Sequence, residues 1–216
     1  MAASPARSSA ATPPAAGDTR REQLLAEAAR LFGARGYEHT SMRDIASAFG
    51  ILPGSLYHHF ASKDDLFIAV YAAGVSQILA AVSLAVADQH TPWNRLEAAC
   101  VAHLQTLLLQ EEFAAAVIAD GSAAQLSVRD ALVPHRDRYE QVFAALIAAL
   151  PLRDGVDRHY FKLGLLGALN GSLTWFRPGR ETPAVVARHL LDLFRPAAAG
   201  TAKLRQGRRL ASNCRR

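Results

Sequence analysis

The sequence predicts an all-α protein: a small three-helix head followed by a larger helical domain. Apolar residues recur at three- and four-residue spacing, hydroxyl–carboxylate pairs three residues apart stand where those patterns begin, and glycines stand where several of them end. Thr19 with Glu22 reads as a capping box opening a first helix, with Leu24, Leu25, Ala28, Leu31 and Phe32 as its stripe and Gly36 as its end before Tyr37. Ser41 with Asp44 repeats the box for a second helix beginning at Thr40-Ser41. At 100° per residue Met42, Ile45 and Phe49 fall within about 60° of one another, and Arg43 and Ser47 lie opposite. Gly50 suits a left-handed ending. Pro53 presets φ for a third helix, whose inner stripe is Leu56 and Phe60. Gly54 and His58 point outward there, Ser55 and Tyr57 flank them, and His59 falls toward the inner side as a packing residue. Ser62 with Asp65 makes a further box, placing Lys63 at the start of the next helix.

Geometry alone leaves two readings of this segment. A small residue with hydroxyl, phenol and imidazole donors beside it suits a helix whose N-terminal end enters a major groove. An ordinary helical hairpin with Tyr57 and His58 as surface residues has the same pattern. The run Thr40-Ser41-Met42-Arg43-Asp44-Ile45-Ala46, followed by Gly54-Ser55-Leu56-Tyr57-His58-His59-Phe60 and Ser62-Lys63, is similar to the helix-turn-helix of TetR/AcrR-type transcriptional regulators. The resemblance covers roughly residues 19–67. It implies a DNA-binding site of Thr40, Ser41, Arg43, Gly54, Ser55, Tyr57, His58 and Lys63. Thr40 or Ser41, Tyr57 and Lys63 would hold phosphates, and Arg43, Ser55 and His58 would face base edges. Leu52 could reach a thymine methyl or be buried. Arg20-Arg21 could reach phosphate or form a solvated helix start.

Beyond Asp64 a long Ala-rich helix is expected to about Ala87, joining the two domains. Further helices are expected from Thr91-Pro92 through Leu107, over about Glu111–Asp120, between Gln125 and Val133, from Pro134 to about Leu150, over Asp157–Trp175, and from Thr182-Pro183. Tyr160, Phe161, Leu165, Leu166, Leu169, Leu173 and Trp175 are too many for one inward stripe. The family resemblance implies that the last two long helices pair with their twins in a homodimer. Two heads would then reach the half-sites of a palindromic operator.

The domain organisation reads as a disordered Ala/Ser/Pro-rich leader at 1–17, the DNA-binding domain at 18–65, the effector-binding and dimerisation domain at 66–200 and a basic disordered tail at 201–216. The net charge of +5 belongs to that tail: six of the 24 basic residues lie at 203–216 with no acid, leaving 18 against 19 acidic groups elsewhere. The high isoelectric point therefore says nothing about the head. No apolar signal core and no uncharged apolar run of membrane-spanning length stands out, and two distant cysteines suggest no disulfide, so the expectation is a cytoplasmic protein.

The resemblance also implies an apolar effector cavity among the middle helices. Candidate lining residues are His103, Phe113, Val117, Tyr139, Phe143 and Asn170, each equally at home in an ordinary core. Leu166-Gly167-Ala168-Leu169-Asn170 through Trp175-Phe176-Arg177-Pro178-Gly179 is similar to the C-terminal region of family members that answer to acyl-CoA thioesters, which implies a small hydrophobic effector of that type and a repressor released by it. A C-terminal domain that docks a protein partner is the alternative. No cofactor and no metal site are expected: His58-His59 diverge by 100° on a helix. The absence of a Gly-x-Ser-x-Gly, a His-Glu-x-x-His or a phosphate loop sets the enzyme reading aside.

Overall fold

A computed structural model of the chain describes residues 16–109 and 126–195. Among them are eight helices and no strand: α1 Ala16–Arg35, α2 Met42–Phe49, α3 Pro53–His59, α4 Lys63–Ala87, α5 Pro92–Leu109, α6 Leu126–Ala148, α7 Arg158–Trp175 and α8 Pro183–Asp192.

The head is α1 to α3 with the first turns of α4. Its core is Leu24, Leu25, Ala28, Leu31, Phe32, Met42, Ile45, Leu56, Phe60 and Phe67, all buried. Ser41 caps α2 with both arms of the box present, and Gly50 ends α2 at φ 75°. Gly36 takes φ 80° after α1, a conformation that favours glycine at that turn.

Three local expectations are corrected. α1 begins at Ala16, so Thr19 lies inside the helix and is not its cap. The last residues of the expected leader are thus helical. Ser62 accepts from the Asp65 N–H, but Asp65 takes the Ser62 hydroxyl rather than its backbone N–H, so this box is half formed. α6 runs unbroken through Pro134, where two helices were expected. The proline is exposed, on a side where water can take the carbonyl its missing N–H leaves unpaired. The expected helix at Glu111–Asp120, the end at Gly200 and the basic tail lie outside the described residues.

α4 connects the two parts: it packs on α1 in the head and on α5 and α6 beyond it. By length and composition it could cross a membrane, yet half of its most apolar window is buried inside the protein. α5 is the centre of the second domain. It packs on α4, α6, α7 and α8, and its buried residues, from Leu96 to Leu108, surround the helix rather than forming a stripe. α7 divides cleanly. Phe161, Leu165, Leu166 and Leu169 face the core, while Tyr160, Leu163 and Trp175 are exposed together with Leu193 just past α8.

Candidate nucleic-acid interface

The buried face of the α2–turn–α3 unit fixes what its other face can do. Met42, Ile45, Ala46 and Leu56 are driven inward because burial removes their apolar surface from water, and Ser41 and Gly50 cap the two ends of α2. Ser41, Arg43, Gly54, Ser55, Tyr57 and His58 are thereby left exposed. Arg43, Ser55, Tyr57 and His58 make no side-chain hydrogen bond or ion pair among the described residues, so their donors are available to a partner. Nothing lies within 4 Å of where a Gly54 side chain would begin, so a partner backbone can approach there. Leu52 is 76% exposed, which decides against its burial.

Thr40 is a correction. It is 1% exposed, and its hydroxyl donates to the Gly36 carbonyl at 2.8 Å and the Leu31 carbonyl at 3.3 Å, so it caps the end of α1 and cannot reach a phosphate. His59, expected to pack inward, is exposed beside His58. Arg21 lies over the Phe60 ring at 5.5 Å, inside α1 rather than ahead of it.

Lys63 opens α4 as expected, but its ammonium is already engaged. It donates to the Tyr37 carbonyl at 3.0 Å and sits over the Tyr37 ring at 4.1 Å. One of its three donors is used this way. The Tyr37 hydroxyl donates to the Asp64 carboxylate, and its ring packs edge-on against Phe67. Burial, reinforced by that carboxylate, raises the phenol well above its ordinary range. Tyr37 therefore ties the α1–α2 turn to α4. The sequence marked it only as a residue after a glycine.

In the second domain His103, Tyr139, Phe143 and Asn170 come together from α5, α6 and α7. His103 Nε2 lies 3.0 Å from Asn170 Oδ1, and the Tyr139 hydroxyl lies 3.4 Å from His103 Nδ1. With Nε2 as the donor, Nδ1 is left to accept from Tyr139. Phe143 stacks edge-on against the imidazole, and neither ring has any exposed surface, so no water-sized space touches them. Burial pushes His103 down to about 4, against a smaller opposing pull from Asn170. The candidates Phe113 and Val117 lie outside the described residues.

A separate cleft of about 590 Å³ lies between α4, α5 and α6. Leu79, Val82 and Val86 form one wall and Val142, Ala145 and Leu146 another, with Arg95 and Arg138 also lining it. None of these residues is unusual in sequence, and only the packing of three helices brings them together.

Residues 24–70 match a family model described as bacterial regulatory proteins, tetR family, and residues 89–197 match one described as tetracyclin repressor-like, C-terminal domain. The chain is 30% identical over 171 residues to the HTH-type transcriptional repressor KstR2 of Mycobacterium tuberculosis, covering 75% of this chain and 84% of that protein. It is 57% identical over 60 residues to KstR2 of Rhodococcus jostii, covering 26% of this chain and 29% of that protein. Among solved structures, a TetR family transcriptional regulator PfmR from Thermus thermophilus aligns with a TM-score of 0.70 at 27% identity, covering 82% of this chain and all of that one. AibR in complex with isovaleryl coenzyme A and operator DNA aligns with a TM-score of 0.71 at 25% identity, covering 81% of this chain and 97% of that one.

Proposed function

Because the chain belongs to the tetR family of bacterial regulatory proteins and is thus a helix-turn-helix transcriptional regulator rather than an enzyme, we propose that it is a cytoplasmic repressor that binds a palindromic operator as a homodimer and is released by a small hydrophobic effector of the acyl-CoA type. The observation that carries the DNA side is the exposed, unpartnered row Arg43, Ser55, Tyr57 and His58 on a capped and buried two-helix unit. Tyr57, Ser41 and the remaining donors of Lys63 hold phosphates; Arg43, Ser55 and His58 read base edges, with Gly54 at the closest approach.

Dimerisation is supported by the outer side of α7. Tyr160, Leu163, Gly167, Gly171 and Trp175 recur at helical spacing, and nothing lies within 4 Å of the missing side chains of the two glycines. Large apolar groups interrupted by glycines allow a second helix to approach closely, and Leu193, just past α8, is exposed as well.

Repression is favoured by the likeness to KstR2, and an acyl-CoA effector by the likeness to AibR bound to isovaleryl coenzyme A. Release then requires an effector that binds the DNA-unfit state more tightly, by a coupling of typically ~1–3 kcal/mol. The test is fluorescence anisotropy of DNA from just upstream of this protein's own gene, against a shuffled fragment, with acyl-CoA thioesters added to the complex. Selective binding lost on adding thioester supports both halves. If thioesters leave both DNA affinity and melting temperature unchanged, the acyl-CoA half fails, and a filled second domain that retains a protein instead would favour a docking role.

A further inference from the structure

The cleft between α4, α5 and α6 combines three features that point to one ligand chemistry. Its two long walls are helical stripes: Leu79, Val82, Ser83 and Val86 on α4, and Arg138, Val142, Ala145 and Leu146 on α6, with Ala149 just past its end. The volume of about 590 Å³ falls in the ~300–1,000 Å³ range of small-molecule sites. Its charge has one sign. Among the described residues that line it, the charged ones are Arg95 and Arg138, with His90 beside them and no carboxylate.

Those arginines lack the partners that arginines nearby have. Arg188 and Arg195 are held by Glu97, and Arg158 donates to the Leu150 carbonyl. The guanidiniums of Arg95 and Arg138 have no hydrogen-bond or ion-pair partner among the described residues. The start of α5, capped by Thr91, opens on the same cleft through Pro92, so the positive end of a helix dipole adds to the field of the two guanidiniums.

We infer that this cleft binds an amphiphile with an apolar tail and an anionic head, the tail lying between the α4 and α6 stripes and the head held by Arg95 and Arg138. Guanidinium forks suit a carboxylate or phosphate head, and an uncharged tail of similar length gains only the apolar part of the contact. The placement gives such a ligand a hold on the head of the protein. α4 is one uninterrupted helix of 25 residues, about 37 Å long at 1.5 Å per residue, with the cleft against its C-terminal third and Tyr37 bonded to its first turn. A tail wedged between α4 and α6 therefore bears on the helix that carries the DNA-binding unit. Binding itself stands on the cleft alone; its regulatory consequence rests on the effector-released reading above.

The test is calorimetric titration of the full chain with decanoate, decanol and decyltrimethylammonium. It is repeated on the Arg95→Gln/Arg138→Gln double variant and on Ala145→Trp, which places an indole in the cleft from an exposed helix position. Decanoate is expected to bind the wild type at least about tenfold more tightly than decanol, with that preference lost in the double variant and binding of all three lost in Ala145→Trp. Melting temperatures near the wild-type value would show that both variants are folded. No decanoate binding by the wild type, equal binding by all three proteins, or decanol binding as tightly as decanoate would each overturn the proposal. DNA release in the same proteins separates the two claims. Thioester release surviving in Ala145→Trp would leave the regulator reading intact and remove the cleft from it. Failure of the wild type to bind any specific DNA would sink the regulator reading whatever decanoate does.

Discussion

Protonation of His103 should set the acid side of this protein's stability. The imidazole is fully buried between Asn170, Tyr139 and Phe143, and burial pushes it down to about 4 from an ordinary value of 6.5. The folded state therefore holds the neutral ring, while the unfolded chain takes up a proton as the pH falls below 6.5. Stability from this group is fully present above pH 6.5 and is lost toward pH 4, because there the unfolded state binds more protons. At 1.36 kcal/mol per pH unit the whole window amounts to about 3 kcal/mol, and between pH 7 and pH 5 to about 2 kcal/mol. Urea unfolding at pH 7.5, 6, 5 and 4.5, at one fixed protein concentration, would measure it. His103→Gln keeps a donor for Asn170 and an acceptor for Tyr139 but does not titrate. The variant will be less stable at pH 7 through imperfect packing, yet its loss between pH 7 and pH 5 should be smaller than that of the wild type by about 2 kcal/mol. The carboxylates contribute alike to both proteins and cancel in the difference. Parallel pH profiles for the two proteins would refute the burial argument.

Other outcomes follow from the same contacts. Ser41→Ala removes the hydroxyl arm of the α2 capping box, which should cost about 1 kcal/mol and lower the thermal midpoint without changing the helical circular dichroism at 20 °C. Arg43→Ala should lose sequence preference at one position of each half-site, by ~1–3 kcal/mol, while affinity for random DNA stays nearly unchanged; equal losses on both would show that Arg43 only neutralises phosphate. Leu163→Glu places a charge on the exposed side of α7, so the folded protein should sediment as a monomer at micromolar concentration. A dimer mass for that variant would move the interface elsewhere.

Features decided within a few residues could be read from the sequence, and features decided by packing could not. The Ser41–Asp44 box, the glycine turns at Gly36 and Gly50 and the proline start of α3 are local chemistry, and each stands where the pattern put it. The outward row of Arg43, Ser55, Tyr57 and His58 follows from helical period once Ile45 and Leu56 are inside. Thr40 shows the limit: a threonine before a helix looks like a free hydroxyl, and only the return of the chain over the end of α1 gives it two carbonyls. His59 shows another, since a helix of seven residues has a single buried anchor, Leu56, and the period cannot say whether anything covers its flank. Pro134 inside α6 required an exposed side for its unpaired carbonyl, which is a property of the fold. Of the effector-pocket candidates, His103, Tyr139, Phe143 and Asn170 do converge, although they lie on three different helices. The cleft with Arg95 and Arg138 was invisible because its residues are ordinary one by one.

Selection from a random DNA pool, with the full chain at near-physiological salt, tests the central claim most directly. An operator-binding dimer should enrich an inverted repeat whose half-sites are centred one helical turn, about 34 to 36 Å, apart, and Tyr57→Ala should bind that repeat more weakly with a shallower salt dependence. A pool that stays unenriched while the protein binds all fragments weakly and equally would mean that the exposed row on α2 and α3 reads no sequence, and the account given for it would be wrong.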